Sequence, residues 1–183
     1  LLADIGSGPE RIAPQFINVD IFPFPGVDVV ASAEHLPFKD ATFDGLATES
    51  LLEHVPNPKE VAAELLRVLK PGGVVYASAP FIHPYHASPD DFNRFTTSGL
   101  KELFPGCEVL DLGVRSGPWS AFLMFLAYWL GVIFSFGSRR SAPFLAHVFM
   151  LILGPLKIFD LLFASLPGAE AVSAHLYIIA RKP

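Results

Sequence analysis

The first twenty residues constrain the fold of this chain more than any other segment. The chain opens on an apolar run that ends in Asp4 and continues into a turn containing Gly6 and Gly8, and a second apolar run, Phe16–Val19, ends in Asp20. A strand that opens into a glycine turn lets a ligand approach the backbone closely, because no Cβ blocks it. A carboxylate at the end of the next strand can accept both hydroxyls of a ribose. The segment therefore predicts a site for a nucleoside-containing cofactor.

What this segment lacks limits the type of cofactor. A dinucleotide fingerprint has a third glycine three positions after the second, where this chain has Arg11, and no Gly-Lys-Ser/Thr of a phosphate-binding loop is present. Asp4 would repel a pyrophosphate and suits a positively charged ligand, such as the ammonium and sulfonium groups of S-adenosylmethionine. Taken alone, Asp-x-Gly-x-Gly also occurs in ordinary strand-to-helix turns, so that alternative stays open at this point.

Three further motifs follow in order within the first hundred residues. They are Leu36-Pro37-Phe38 with Phe43-Asp44, then Leu52-Glu53-His54-Val55, then Leu69-Lys70-Pro71-Gly72-Gly73. With the strands and helices around them, they resemble the class I S-adenosylmethionine-dependent methyltransferases. The nearest branch is methyltransferase type 11, which is related to enzymes of ubiquinone and menaquinone biosynthesis. The resemblance covers about residues 1–104 and a last strand near the C-terminus.

Local patterns predict the same α/β architecture. Asn57, Pro58 and Glu60 have the N-cap, first-residue and capping-box pattern of a helix start. Val74–Ala79 is apolar throughout, as expected of a parallel strand that is covered on both faces. The resemblance implies a Rossmann-like seven-stranded mixed sheet, its last strand antiparallel, with a hydrophobic helical insertion before that strand. The predicted methyltransferase domain comprises residues 1–115 and 170–183, and the predicted insertion comprises residues 116–169.

The resemblance also implies roles for residues at the carboxyl ends of the strands. Asp20 would bind the ribose hydroxyls and Ile21 would pack on the adenine, while the glycine turn would hold the methionine portion. Ser32 stands where many relatives have an aspartate that binds the adenine amino group. For Glu53 and His54, a purely structural turn is an equal alternative to cofactor contact. The predicted cofactor-binding residues are Asp4, Gly6, Ser7, Gly8, Asp20, Ile21, Ser32, Ala33, Thr48, Glu49 and His54.

The interval between Gly8 and Asp20 is short for such a fold. Dinucleotide-binding folds have about twenty residues there, whereas here Pro9 and Pro14 bracket room for little more than one helical turn. We therefore expect a truncated first helix and a thin wall on that side of the cofactor site. Because the sequence begins directly on the first strand, we also expect that an N-terminal segment is missing from it.

A polar segment after the fifth strand, residues 81–97, is the predicted acceptor region. Relatives of this branch have a similar Pro-Phe-x-x-Pro-Tyr-His stretch here. Methyl transfer is an in-line displacement on a sulfonium, so positioning supplies most of the acceleration, and a hydroxyl acceptor also needs a base such as imidazole. A metal site through His83, His86 and Asp90, or a structural Asp91–Arg94 pair, are the alternatives. The predicted catalytic residues are His83, Tyr85, His86 and Arg94, and no metal is predicted.

A hydrophobic region distinguishes this chain from an ordinary soluble enzyme. Residues 116–138 carry no charge, and Phe144–Leu156 is apolar again. By length the first stretch could span a bilayer, while Gly154-Pro155 and Lys157 are expected to break the second. A double crossing would place Arg139-Arg140 on the far side of the membrane, against the positive-inside tendency. We therefore expect helices that lie in the cytoplasmic leaflet, with a protein-covered lid or a homodimer interface through residues 117–166 as the alternative.

Charge and cysteine content narrow the function further. The net charge of −5 and the absence of a basic run argue against a nucleic-acid substrate, and the single Cys107 excludes an intrachain disulfide and fits a reducing cytoplasm. The sequence thus predicts a cytoplasmic protein, peripheral on the inner face of the membrane. Its predicted reaction is methyl transfer from S-adenosylmethionine to a small molecule such as a lipid, a quinone or a lipid-linked sugar. The alternative is a non-catalytic membrane-associated or assembly module with the same fold; Arg11 disfavours a nicotinamide-dependent oxidoreductase.

Overall fold

A computed structural model describes residues 1–183 and contains one seven-stranded sheet. The strands lie in the order β3-β2-β1-β4-β5-β7-β6. They are β1 (Leu2–Ile5), β2 (Phe16–Asp20), β3 (Val29–Val30), β4 (Phe43–Glu49), β5 (Leu69–Pro80), β6 (Glu108–Ser116) and β7 (His175–Arg181). The helices are α1 (Pro58–Val68), α2 (Thr97–Leu103), α3 (Pro118–Phe134), α4 (Ser141–Leu153) and α5 (Asp160–Phe163), with 3₁₀ segments at Gly154–Phe159 and Ala169–Val172.

Parallel pairing brings the carboxyl ends of the first strands to one edge of the sheet. β1 pairs in parallel with both β2 and β4, so that Asp4 lies beside Asn18 on one side and Ala47 on the other. β2 also pairs in parallel with β3, and β4 with β5. The strand order reverses at β1, and ligands of open α/β sheets bind at such a switch point. The glycine turn after β1 therefore lies where the fold places a cofactor.

The last strand closes the sheet in the opposite direction. Gly72 N–H donates to the Lys182 carbonyl at 2.9 Å, and Lys182 N–H donates to the Gly73 carbonyl at 2.9 Å. The predicted Rossmann-like mixed sheet with antiparallel final pairing and a preceding helical insertion is confirmed.

Helix α1 begins and packs as predicted, although its N-terminus is capped differently. Asn57 is the N-cap residue and Pro58 follows it, but no side chain accepts a hydrogen bond from the first turn. The Asn57 side-chain amide instead donates to Glu60 Oε1 at 2.6 Å. One face of α1 is fully buried and consists of Val61, Ala62, Leu65 and Val68. This burial stabilises the helix more than its cap does.

The chain divides into two compact units. The first, which we call the sheet unit, comprises Leu1–Ala79, Ala87–Gly113 and Tyr177–Pro183. The second, which we call the helical unit, comprises Pro80–His86 and Val114–Leu176.

Small residues set the packing inside the helical unit. A Cβ at Gly131 of α3 would lie 2.7 Å from the Ala146 nitrogen and 2.8 Å from the Ala142 oxygen of α4. The two helices therefore approach each other closely at this glycine, because any side chain there would collide with the backbone of α4.

One expectation about the hydrophobic region was wrong. The α-helix ends at Leu153, directly before Gly154-Pro155, but the chain continues there as a 3₁₀ segment with Pro155 in its first turn, so the helical run is not interrupted. The helical run Ser141–Phe163 is the one that is long and apolar enough to cross a membrane, by length and composition only. The first stretch forms a shorter helix, Pro118–Phe134, of 17 residues.

Candidate functional site

The turn after β1 has a backbone conformation and a crowding that only glycine tolerates. Gly6 has φ +75°, and its N–H and that of Ser7 donate to the Val19 carbonyl at 2.8 and 3.1 Å. A Cβ at Gly6 would lie 2.9 Å from Leu51 Cδ1. The turn is thus tied to the end of β2 by backbone hydrogen bonds and packed against Leu51, which fixes its position at the edge of the sheet.

Asp20 is held by the backbone at the end of β2. Its side chain accepts from Gly8 N–H at 2.8 Å and from Phe22 N–H at 2.9 Å, one to each carboxylate oxygen. Each oxygen retains a further lone pair, so the oriented carboxylate can still accept hydroxyl protons from a ligand. The geometry therefore fits the predicted binding of ribose hydroxyls by Asp20. Gly8 contributes by holding the Asp20 carboxylate with its N–H group.

One cleft of about 280 Å³ collects six of the predicted cofactor residues. Ile21, Ser32 and Ala33 lie along it with Gly6, Asp20 and His54. Leu51, Phe22 and Phe92 also line it and were missed by sequence reasoning, although the apolar residues directly after β2 and β4 were an available signal. Its mixture of apolar walls and a single oriented carboxylate is typical of a nucleoside site.

A second cleft, of about 450 Å³, adjoins the other side of the glycine turn. Asp4, Gly6, Ser7 and Glu49 line it with Arg11, whose guanidinium is bonded to both oxygens of the Asp28 carboxylate at 2.8 Å. Burial, together with the nearby Glu49 and Asp20 carboxylates, raises the pKa of Asp4 to about 6. Accumulated negative charge of this kind favours a cationic ligand, which would relieve the repulsion.

Two predicted cofactor residues stand differently from expectation. Thr48 is fully buried and lines neither cleft, and its hydroxyl oxygen has no hydrogen-bond partner. Ser32 lines the first cleft, but its hydroxyl accepts from Glu34 N–H at 3.3 Å. The side chain of Thr48 points away from the clefts because successive residues of a strand face opposite sides of the sheet.

Part of this chain is similar to known proteins. Residues 12–77 match a family model described as a methyltransferase domain. An uncharacterized methyltransferase of Mycobacterium tuberculosis is 36% identical over 96 residues, 42% of this chain and 38% of that protein. Over these residues, this chain is similar to the class I methyltransferases. An uncharacterized methyltransferase of Mycobacterium leprae is 33% identical over 97 residues, which are 36% of that protein. The chain thus spans less than half of the length of either relative.

Solved structures share the fold of this chain at low identity. The phosphoethanolamine N-methyltransferase 2 of Haemonchus contortus, in complex with S-adenosyl-L-methionine, has a TM-score of 0.61 and 16% identity, with 100% of this chain and 48% of that chain covered. The cyclase SpnF has a TM-score of 0.59 and 21% identity, with 100% and 74% covered. A methyltransferase and a cyclase thus share one fold, so the reaction must be argued from the site.

The Leu-Glu-His-Val motif holds one wall of the first cleft. The Glu53 carbonyl accepts from Phe92 N–H at 2.7 Å, and Asn93 Nδ2 donates to the Val55 carbonyl at 2.9 Å. His54 Nδ1 lies 2.6 Å from the Asp90 carbonyl oxygen. The motif therefore anchors the loop of residues 88–93. His54 has both of the surroundings considered for it, because it contacts this loop and also lines the cleft.

The Glu53 side chain is fully buried beneath this network of backbone contacts. Burial raises the pKa of Glu53 to about 7, while the positive charges of His54 and Arg94 lower it. Arg94 is paired with Asp91, with Nη2 to Oδ2 at 2.7 Å. The structure thus forms the Asp91–Arg94 pair that was the structural alternative to acceptor binding by Arg94.

The other predicted catalytic residues lie in the helical unit. The His83 and His86 rings are 4.2 Å apart between centroids, and Tyr85 is 67% exposed. His175, which sequence reasoning missed, lies 5.2 Å from His83 between ring centroids. The three imidazoles come from two distant parts of the chain, and no local pattern links residue 175 to residue 83. Their catalytic roles, like those of Tyr85 and Arg94, stay predictions.

Proposed function

We propose that this protein transfers a methyl group from S-adenosylmethionine to a small-molecule acceptor. The observation that carries the proposal is the group of carboxylates, Asp4, Asp20 and Glu49, around a glycine turn at the switch point of the sheet. The donor's sulfonium and ammonium are positive, whereas a nicotinamide dinucleotide would bring a pyrophosphate into this negative field. The acidic field therefore favours the first cofactor over the second.

The residues fit that cofactor in distinct ways. Asp20 would accept the ribose hydroxyls, Gly6 would let the methionine portion approach the backbone, and Asp4 would attract its ammonium group. Ile21 and Leu51 would pack against the adenine. When bound, S-adenosylmethionine supplies an electrophilic methyl group on a positively charged sulfur. The protein's own contribution is then to orient donor and acceptor and to exclude water.

Calorimetric titration tests this proposal directly. The wild-type protein should bind S-adenosylmethionine and not NADH. Asp20→Asn removes the charge that binds the ribose and should weaken binding by about tenfold or more. Glu60→Gln, an exposed change on α1, is the matched control and should leave affinity unchanged. Wild-type affinity in Asp20→Asn would contradict the proposal, and failure to bind either cofactor would support the non-catalytic alternative.

We also propose that the helical unit contacts the cytoplasmic face of an anionic bilayer. Seventeen large apolar side chains between residues 116 and 169 are exposed, including Phe136 at 92% and Trp129 at 67%. The same segment has three cationic side chains and one carboxylate, while the rest of the chain has ten and seventeen. An apolar, cationic surface on an otherwise acidic protein is the pattern of an interfacial membrane contact. Such a contact suits a lipid, a quinone or a lipid-linked sugar as acceptor.

Vesicle flotation tests the membrane contact. We expect the protein to float with phosphatidylglycerol vesicles and less with phosphatidylcholine vesicles. The double change Trp129→Ser and Phe136→Ser should reduce flotation, whereas Val109→Ser, at an exposed apolar position of β6, should not. Arg139→Gln with Arg140→Gln should reduce only the preference for anionic lipid. A wild-type protein that stays soluble and monomeric with both vesicles would overturn this proposal, and a stable dimer would replace it with a homodimer interface.

A further inference from the structure

The helical unit contains an apolar cavity of its own, of about 260 Å³. Its walls come mainly from α3, α4 and the 3₁₀ segment after α4. Leu123 and Met124 face Met150 and Leu153 across it, and Gly154 forms part of the wall without a side chain. Met side chains adapt to ligands of varied shape, and apolar walls of this kind hold hydrocarbon. The lining residues are Ser116, Ser120, Leu123, Met124, Met150, Leu153, Gly154, Lys157 and His175.

The lining of this cavity includes one cation, Lys157, and one imidazole, His175. Lys157 is exposed, and its ammonium forms no hydrogen bond or ion pair within the chain. His175 also lines the cavity and adjoins His83, at 5.2 Å between ring centroids. The one carboxylate nearby in sequence, Asp160, accepts from the backbone N–H groups of Trp119 and Ser120 instead of pairing with Lys157. The Lys157 ammonium is therefore available to a ligand that carries negative charge.

The size of the cavity limits what enters it. A volume of about 260 Å³ is just below the roughly 300–1,000 Å³ of sites that enclose a drug-sized ligand. It can take a segment of one hydrocarbon chain but not a whole diacyl lipid. The exposed side chains of Leu156 and Ile158 flank Lys157, so the rest of a longer chain has an apolar surface to follow.

We propose that this cavity binds a long-chain amphiphile with an anionic head group, its chain among the methionines and leucines and its head at Lys157. Resting on the proposed methyl transfer, this amphiphile is the class of acceptor. If its acceptor atom is a hydroxyl oxygen, the new O–CH₃ bond forms as the sulfur–CH₃ bond breaks, and the hydroxyl proton passes to an imidazole. The anionic head and the apolar chain are both required, because each matches a different part of the cavity.

Titration with monododecyl phosphate, below its micelle concentration, tests the binding site. The wild-type protein should bind it, should bind dodecanol about tenfold more weakly because the charged contact is missing, and should not bind inorganic phosphate. Gly154→Leu should abolish binding, because a Cβ at this position meets no atom within 4 Å and the added side chain occupies the cavity. Gly154→Ala, which adds one carbon, is the matched control and should bind within about twofold of wild type.

Charge is tested separately from volume. Lys157→Gln should weaken binding of dodecyl phosphate to about the level of dodecanol, while Arg140→Gln, another exposed cation of the helical unit, should not change it. Equal binding to wild type and Gly154→Leu, or binding of inorganic phosphate alone, would overturn the cavity proposal.

Titration with S-adenosylmethionine on the same variants keeps the two proposals distinguishable. Gly154→Leu lies outside both clefts of the sheet unit and should retain donor binding. Donor binding without binding of dodecyl phosphate would overturn only the cavity proposal. Dodecyl phosphate binding without donor binding would overturn the proposed methyl transfer and with it the acceptor role, while leaving the cavity as an amphiphile site.

Discussion

The sheet unit and the helical unit differ in where their charged and apolar side chains lie. In the sheet unit, buried Asp4 and Asp20 stand at strand ends, Glu53 is buried in the loop after β4, and Asp20 accepts hydrogen bonds from backbone N–H groups. In the helical unit, the few charged side chains are mostly exposed, and large apolar side chains are exposed beside them. A buried carboxylate costs stability and is maintained where a ligand will use it, whereas exposed apolar area indicates a partner that covers it. This difference is the basis of the two proposals, a polar cofactor for the first unit and an apolar partner for the second.

The largest expected effect concerns the glycine turn of the sheet unit. Gly6→Ala should destabilise the fold by about 3 kcal/mol, from a left-handed φ and from the clash with Leu51. Gly72→Ala shares the positive φ, at +76°, but meets no atom within 4 Å, so it should cost only about 1 kcal/mol. Urea unfolding measures both. The double change Gly6→Ala with Leu51→Ala should lose less stability than the sum of the two single changes, because the shortened side chain relieves the clash; additive losses would show that crowding is not the cause.

The ionised Asp4 carboxylate should favour donor binding and, at the same time, lower the stability of the fold. Its pKa is raised to about 6 in the folded protein from 3.8, so the folded state holds the proton more tightly and loses stability as pH rises from about 4 to 6. Asp4→Asn should therefore stabilise the protein at pH 7 by about 2–3 kcal/mol while weakening donor binding.

The pH dependence of binding supplies the check on this assignment. Donor affinity of the wild-type protein should rise as pH increases through about 6, because the ionised form of Asp4 attracts the cationic donor. Asp4→Asn should remove this rise, and Asp40→Asn, at an exposed position, should keep it. A pH-independent affinity in the wild type would separate Asp4 from the cofactor.

Asp160 offers a test within the helical unit. Helix α3 has Gly117 as its N-cap residue, without a capping side chain, and Asp160 accepts from Trp119 N–H at 2.8 Å and Ser120 N–H at 3.1 Å. Asp160→Ala should cost about 1–2 kcal/mol in thermal unfolding, since the first turn loses its acceptor and a favourable charge. Glu170→Gln is the exposed control. An unchanged melting temperature for Asp160→Ala would show that apolar packing alone orders this helix.

The smallest effect is expected at the loop of residues 88–93. Asn93→Ala removes the bond to the Val55 carbonyl and should cost about 1 kcal/mol, the usual contribution of one hydrogen bond. Because the loop forms a wall of the first cleft, donor affinity should fall by a few-fold as well. Asn57→Ala, whose side chain bonds only Glu60 on the surface, should leave donor affinity unchanged. Loss of stability in Asn93→Ala without loss of affinity would make the anchor purely structural.

Local patterns were sufficient for much of the sheet unit. The acidic glycine turn, the residues after β2 and the start of α1 at Asn57-Pro58 could be predicted because each depends on neighbours within a few positions. The side-chain bonds that complete the site could not. Asp20 contacts Gly8 across twelve positions and Leu51 crowds Gly6 across forty-five, and neither contact has a signature in the intervening sequence.

In the helical unit, too, local features could be predicted from the sequence, whereas contacts between distant residues could not. Its apolar composition and charge pattern are visible in the sequence, but the continuity of the helical run through Pro155 depends on the conformation of one turn. The approach of His175 to His83 likewise depends on the path of the chain between them.

By itself, the sequence determined the first five strands, helix α1 and the last strand, the carboxylates and glycines at the strand ends, and the excess of apolar side chains in residues 116–169. These follow from backbone preference and hydrophobicity, which act locally. Only the tertiary structure decided which carboxylates share a charged cleft, that Thr48 is buried away from it, and that Arg94 pairs with Asp91. Burial and electrostatic coupling depend on distance in space, and distance in space is fixed only when the sheet has formed.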